Sequence, residues 1–492
     1  MTDQDPSQMN IPGDGVSQKA DSALLQSNYL DKANLVLNEV NKVSPCMCLA
    51  KWLTVSLHLT TGKTHSCYHP PAHQIPLAEI QADPSALHNT LHKKEQRAKM
   101  LRGERPSECQ YCWNIEDADG GGKHLSDRAY RSAELFTEST TLDTVLKSGS
   151  TGNALPHYVE VNFNQACNFR CSYCSPHLST AWEKEARQFG PFILADQKHN
   201  DVAALEHQGI MPLPEENNPY VKAFWEWWPE LYKDLRSFRM TGGEPLIDSN
   251  THRVLEYIEK NPKSYLQLAI TSNCCPPPAI WTRFKEKISS LARQNALDHF
   301  MLFCSLDSWG KPAEYIRNGM DFDRLHANIS QYLSEVERHS LSFIVTFCNM
   351  SMTGWRNYLH GILELRRQHS IHRQMVWFDT PMLRFPAWQS IQILPERYRD
   401  ILRADIAFME ANLETSGNRF QGFKDFEVMK LKRVLAWMEE PLDPKKIQME
   451  RANFYLFFKQ HDQRRGTSFL QVFPEMEDFW KLCQEAARAK RI

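Results

Sequence analysis

Cys167-Asn-Phe-Arg-Cys171-Ser-Tyr-Cys174 puts three thiols within eight residues, just after a strand-like run, Tyr158 to Phe163, and before a polar segment. Thiolates are soft ligands that select zinc, copper(I) or iron-sulfur clusters, and a tight loop can aim three of them at one place. The C-x3-C-x2-C spacing is wider at its first gap than the paired C-x-x-C knuckles of zinc sites, and it supplies three ligands, not four. A four-iron cluster held by three thiolates leaves one iron open to a small chelating ligand. A zinc loop is the competing reading of this motif taken alone.

Working outward, the 492-residue chain is long enough for about two to four domains. A formal net charge of -2 provides no global field to recruit nucleic acid or an anionic membrane. Thirteen cysteines are too sparse for a disulfide scaffold, and their clustering points to metal binding in a reducing compartment, the cytoplasm. No apolar run approaches the roughly 20 residues of a membrane helix, and Met1-Thr-Asp-Gln-Asp lacks the order of a signal peptide.

Residues 1–25, rich in Asp, Gln, Ser, Pro and Gly, read as a flexible tail. Apolar spacing from Tyr29 to Val43 predicts a short helix. The segment from Cys48 to Cys67 alternates as a strand from Trp52 to Leu59 and turns at Gly62, which predicts a hairpin with a cysteine at each end. Cys109-Gln-Tyr-Cys112 follows an amphipathic basic stretch, so this region offers four thiols, enough for a tetrahedral zinc or a four-iron cluster. Cys46 is an unassigned thiol that competes with Cys48 as a ligand; its plain reading is a packed cysteine. Gly120-Gly-Gly122 and the polar run to Asn153 read as a linker, 121–155, with some helix.

From about Pro156, six strand-like runs alternate with helical ones: Tyr158–Phe163, Ser237–Met240, Leu266–Ile270, Met301–Cys304, Phe343–Phe347 and Met375–Phe378. They predict a parallel α/β architecture. Phe224-Trp-Glu-Trp-Trp228, in the long interval before the second run, reads as core. The second run leads into Thr241-Gly-Gly-Glu-Pro245, where glycines let backbone approach a ligand and a carboxylate can meet an ammonium group. The third ends at Ser272 and Asn273 and the fourth at Ser305 and Asp307, with Arg317 ten residues on. Strand C-terminal ends carry the chemistry of parallel α/β folds, so these side chains suit hydroxyls and a carboxylate, though each is as readily a strand cap. Cys348, Asn349 and Asp379 end later strands and face the substrate on position alone. Residues 396–492 read as a helical cap, with amphipathic stretches at 396–413, 425–440 and 446–461, and Asp462 with Arg464 as a structural ion pair.

The three-cysteine loop followed by Gly242-Gly-Glu-Pro closely resembles the radical S-adenosylmethionine (SAM) superfamily, whose C-x3-C-x-aromatic-C loop binds a 4Fe-4S cluster after the first strand of a partial barrel. The resemblance implies a partial (β/α)6 barrel over 156–395, cluster ligands Cys167, Cys171 and Cys174, and Tyr173 in the aromatic place. It implies that Gly242, Gly243 and Glu244 meet the methionine amino group of SAM, and that Ser272, Asn273, Ser305, Asp307 and Arg317 meet its ribose and carboxylate. C-x13-G-x4-C with the later C-x-x-C resembles the twitch domain, the shorter relative of SPASM, here at 26–120. That implies an auxiliary 4Fe-4S cluster on Cys48, Cys67, Cys109 and Cys112, with the segment placed before the barrel where most relatives carry it afterwards.

The implied chemistry is reductive cleavage of SAM and hydrogen abstraction by a 5′-deoxyadenosyl radical, with electrons from a flavodoxin or ferredoxin. An auxiliary cluster fully bound by thiolates suits net oxidation of a small molecule or peptide, by dehydrogenation or intramolecular bond formation. No stretch resembles a leader-peptide-binding domain, which disfavours the peptide. The rival readings are an enzyme whose auxiliary cluster is purely structural, and a non-enzymatic zinc or iron-sulfur protein.

Overall fold

The apolar alternation after Trp52 yields a strand, Thr54–His58, both of whose edges are used. One edge pairs antiparallel with Lys63–His65, and the other pairs parallel with Tyr158–Asn162, Thr54 lying opposite Tyr158 and His58 opposite Asn162. The computed structural model describes residues 22–118, 125–138 and 140–489, so most of the expected tail and the Gly120–Gly122 part of the expected linker lie outside the described residues. The fold is α/β with a mostly parallel sheet. Among the described residues no helix is long and apolar enough to cross a membrane.

Two compact units divide the chain. The first contains the described residues up to Asn164, with Pro212–Thr241 and Tyr265–Leu268. Its strands run in the order Ser237–Thr241, Tyr158–Asn162, Thr54–His58, Lys63–His65, His73–Gln74. The unit therefore cuts across the expected boundaries: the cysteine-rich hairpin is continuous with two strands expected in the barrel. The reason is backbone satisfaction, because an edge strand leaves a row of unpaired N–H and C=O groups, and Tyr158–Asn162 pairs with those of Thr54–His58.

Trp52 and Leu53, expected in the strand, instead close a helical turn, Ala50–Leu53. At the hairpin turn Gly62 takes a φ of 66°, and a Cβ there would stand 2.1 Å from the Tyr220 ring, so both backbone and packing demand glycine. Tyr220 opens the helix Pro219–Asp234, whose first turn is capped by the Asn218 side chain. Phe224 and Trp228 of that helix are buried and stacked, with Phe163 and Phe238 against Phe224, so the Trp-rich piece is core. The predicted helix after residue 29 starts earlier, at Ser22. The expected linker includes two helices, Asp127–Leu135 and Thr140–Ser148, and Ala133 and Val145 join Val36, Val40, Trp52 and Met100 in one core.

The second unit contains Gln165–Met211, Gly242–Ser264 and the described residues from Ala269. Here the strands Gln267–Ser272, which enters the unit at Ala269, His299–Ser305, His339–Ile344 and Val376–Asp379 neighbour one another in sequence order. The last three pair in parallel, and the helices Pro278–Arg293, Phe322–Glu335 and Trp355–His369 alternate with the four, an arrangement compatible with a partial barrel. The fifth predicted strand is displaced. It begins at His339 where Phe343 is expected, because His339, Ser340 and Ser342, polar in sequence, are buried in the ladder. The three cap helices form as Arg397–Ala411, Asp425–Glu439 and Pro444–Arg465. The expected Asp462–Arg464 pair does not: Asp462 accepts from Tyr315 Oη at 2.8 Å, while Arg464 Nη2 donates to the Pro191 carbonyl at 3.0 Å.

Candidate metal centres

Backbone pairing and the Ser172 side chain hold the three-cysteine loop in place. Arg170–Cys171 pairs antiparallel with Arg317–Asn318, Ser172 N–H donates to the Ile316 carbonyl at 2.7 Å, and Trp182 Nε1 donates to the Cys171 carbonyl at 2.8 Å. The Ser172 side chain is buried, its hydroxyl donating to Gln389 Oε1 at 2.7 Å while Gln389 Nε2 returns a bond to its carbonyl at 3.0 Å. Cys167, Cys171 and Cys174 are all free and half-buried. Burial pushes Cys167 up to about 12 and raises Cys171 and Cys174, so each is a thiol until a metal displaces its proton.

Gly242-Gly243-Glu244 lies against this loop. The Glu244 N–H donates to the Ala166 carbonyl at 2.6 Å, and Gly242 takes a φ of 125°. A Cβ on Gly243 would stand 2.3 Å from that same Ala166 carbonyl oxygen, so the close approach of the two segments requires glycine. The buried Glu244 carboxylate accepts from Ser272 Oγ at 2.8 Å and Leu246 N–H at 3.0 Å on one oxygen, and from Asn273 N–H at 2.6 Å on the other. A carboxylate offers about four acceptor positions, so one is left for a ligand ammonium.

Burial nevertheless raises Glu244 to about 7 against those hydrogen bonds. A folded value above the unfolded one means the folded chain holds this proton more tightly, so the contribution is complete below the ordinary carboxylate range and is lost as pH rises through about 7. For the ligand-free protein, urea midpoints should therefore fall between about pH 5 and pH 8, and should fall less steeply for Glu244→Gln. Identical pH profiles would show that Glu244 is ionised throughout.

The expected SAM contacts are largely engaged with one another. Arg317, read from sequence as open to a carboxylate, turns its guanidinium onto buried Asp307, with Nε 2.8 Å from Oδ2 and Nη2 3.0 Å from Oδ1. Asp307 also accepts from Tyr173 Oη at 2.6 Å and Thr346 N–H at 2.8 Å. The other edge of Arg317 approaches Cys171, Nη1 lying 3.7 Å from Sγ. Asn273 Nδ2 donates to Asn168 Oδ1 at 2.8 Å, tying the third strand end to the cysteine loop. Ser305 ends its strand half-buried.

In the first unit Cys48 and Cys67, from two connecting segments, and Cys109 and Cys112, from the helical stretch after Pro106, line one pocket together with Lys51, Arg128 and Arg131. Cys46 does not line it; it is a core residue whose Sγ lies 3.7 Å from Ser44 Oγ. Burial raises all four thiols, Cys67 to about 11 and Cys109 to about 12, and the three cations oppose this at one cysteine or another. The two arginines come from the helix Asp127–Leu135, which sequence reads as linker. Its charged face, Asp127, Arg128, Arg131 and Glu134, is the signal that marks it as more than a spacer.

A polar face in the same unit was also missed. Register places Ser56 beside both His65 and Glu160, and Glu160 beside Arg239. Tyr68 Oη donates to Glu160 Oε2 at 2.6 Å and lies 2.9 Å from Tyr158 Oη. His65 Nδ1 lies 2.5 Å from the Cys67 carbonyl and must donate to it, so His65 Nε2 accepts from His58 Nε2, 3.1 Å away. The buried Ser56 Oγ and Asn162 Oδ1 have no partner, leaving this face able to bind a polar group. The alternation Ser56, His58 and Tyr158, Glu160, Asn162 was the available signal.

Among the described residues no three His, Cys, Asp or Glu side chains converge closely enough to hold a single metal ion. Thiols are nonetheless the only donors of these types in the three-cysteine loop, and an iron-sulfur cluster or zinc is what such a set takes. The flanking guanidinium and ammonium groups fit an anionic thiolate-bound group at both places. No family model matches the chain, and a search of curated proteins finds no match.

Proposed function

We propose that this chain is a radical SAM enzyme with a second, auxiliary cluster, acting by net oxidation on a polar small molecule or peptide. The observation that carries the reading is that the C-x3-C-x2-C loop and Gly242-Gly243-Glu244 meet in one unit, through the Glu244 N–H to Ala166 bond of 2.6 Å and the glycine that bond line requires. Cys167, Cys171 and Cys174 would hold a 4Fe-4S cluster, which would supply the electron for reductive cleavage of SAM, and Cys48, Cys67, Cys109 and Cys112 would hold a second, which would serve as electron acceptor for net oxidation.

The chain's own residues then bind and orient. Glu244 receives the methionine ammonium on its remaining acceptor position, while Ser272 and the Asn273 N–H fix the carboxylate's direction. Asp307 and Arg317 brace the loop, Asp307 by accepting from Tyr173 and Arg317 by its ion pair with Asp307. The polar face around Glu160, with the buried Ser56 Oγ and Asn162 Oδ1 unpartnered, is the proposed contact for polar groups of the substrate.

Anaerobic reconstitution is expected to give about eight irons per chain, as two four-iron clusters require. Cys109→Ala with Cys112→Ala should retain about four, still form 5′-deoxyadenosine from SAM and dithionite, and yield no oxidised product. Stoichiometric zinc with little iron would falsify the enzyme reading, and normal product from a folded double variant would remove the acceptor role.

A further inference from the structure

The turn Asp462-Gln-Arg-Arg-Gly466, at the end of the helix Pro444–Arg465, is built with more precision than a cap needs. Gly466 takes a φ of 64° and ends the helix in the left-handed conformation. The Asp462 carboxylate accepts from Tyr315 Oη at 2.8 Å, Thr467 Oγ1 at 2.7 Å and Phe469 N–H at 2.8 Å, which fixes the direction of the last helical turn. His461 beside it is buried and held neutral, its value lowered to about 4 by burial.

That fixed turn delivers Arg465 to the back of the cysteine loop. Its side chain is 1% exposed, and Nη1 donates to the Arg170 carbonyl at 3.3 Å. Nε and Nη2 each reach an oxygen of Glu185 at 3.2 Å. The guanidinium lies 4.8 Å from the centroid of the Trp182 ring, and Trp182 in turn donates to the Cys171 carbonyl. Glu185, itself 1% exposed, also takes Arg170 at 3.1 Å and has Arg464 at 4.0 Å. One buried carboxylate therefore faces three guanidinium groups, leaving local positive charge directly behind Cys171.

We infer that Arg465 and Glu185 are positioning residues that set the reduction potential of a cluster on Cys167, Cys171 and Cys174, Arg465 raising it and Glu185 lowering it. This rests on the function proposed above. A cluster gains one negative charge on reduction, so a fixed cation favours the reduced form and a fixed anion the oxidised form. Both side chains are buried, so salt screens the effect little. The C-terminal cap thereby belongs to the chemistry as well as to the fold.

The test is an EPR-monitored redox titration of the full-length, anaerobically reconstituted protein without substrate, following the signal that changes when SAM is added. Arg465→Gln should shift the midpoint to more negative potential and Glu185→Gln to more positive potential, with the second cluster's midpoint unmoved and Arg465→Lys restoring part of the shift. A merely structural pair predicts shifts of the same sign, since either variant breaks the same contact. Same-sign shifts, or none, overturn the inference. If Arg465→Gln does not fold, the sign for Glu185→Gln decides alone. Wild-type protein with no SAM-sensitive iron signal would instead sink the proposed function, a failure visible before any variant is made.

Discussion

Cys171→Ala is expected to abolish 5′-deoxyadenosine formation from SAM and dithionite, with or without substrate, and to cut bound iron from about eight to about four per chain. The loop has three thiols and none to spare. Cys274 and Cys275, the next cysteines in the second unit, are buried, and Cys275 Sγ accepts from Arg324 Nε at 3.0 Å, so neither offers a ready substitute. The fold should survive, because what Cys171 contributes to it is backbone: pairing with Arg317, and a carbonyl that accepts from Trp182. Alanine keeps both. Product quantified by mass spectrometry, with circular dichroism on the same sample, separates chemistry from folding; wild-type 5′-deoxyadenosine from a folded variant would exclude this loop as the SAM-cleaving site.

Arg366→Met should be the most damaging single change away from either cysteine site. Arg366 and Glu427 are both 0% exposed and pair through two contacts, Nη1 to Oε2 at 3.0 Å and Nη2 to Oε1 at 2.5 Å. The guanidinium also donates to the Val376 carbonyl at 3.0 Å and the Gly422 carbonyl at 2.7 Å, joining the strand Val376–Asp379 to the segment that leads into the helix Asp425–Glu439. Methionine has a comparable stem but leaves buried Glu427 without its cationic partner, keeping only the Lys424 N–H at 2.9 Å. Removing one partner of a buried pair costs about 3–5 kcal/mol, whereas replacing both by apolar groups can be neutral. The urea midpoint should fall sharply for Arg366→Met and recover in Arg366→Met/Glu427→Leu. A single variant within about 1 kcal/mol of wild type would mean that water reaches the pair.

The sequence by itself determined the local chemistry. Cysteine spacing singled out both thiol sets, because spacing is written in the chain, and Gly62, Gly242 and Gly243 stand where backbone conformation or close approach admits no side chain. Strand periodicity located the six runs, since alternation is local, and among them it slipped at His339–Ser342, where polar side chains are buried by neighbours that sequence does not reveal. Apolar spacing likewise located the three long C-terminal helices.

Tertiary structure alone decided which charges meet. Arg317 and Asp307 are ten residues apart and equally plausible as ligand contacts until their bidentate geometry commits each to the other. Arg128 and Arg131 belong to a segment that reads as a spacer, yet they line the four-cysteine pocket. Arg465 lies 280 residues from Glu185 and reaches it only through the last turn of a helix. Hydrogen bonds and ion pairs depend on distance and direction in space, whereas periodicity and spacing act along the chain, so the cysteine sets were legible in the sequence and the electrostatic setting around them was not.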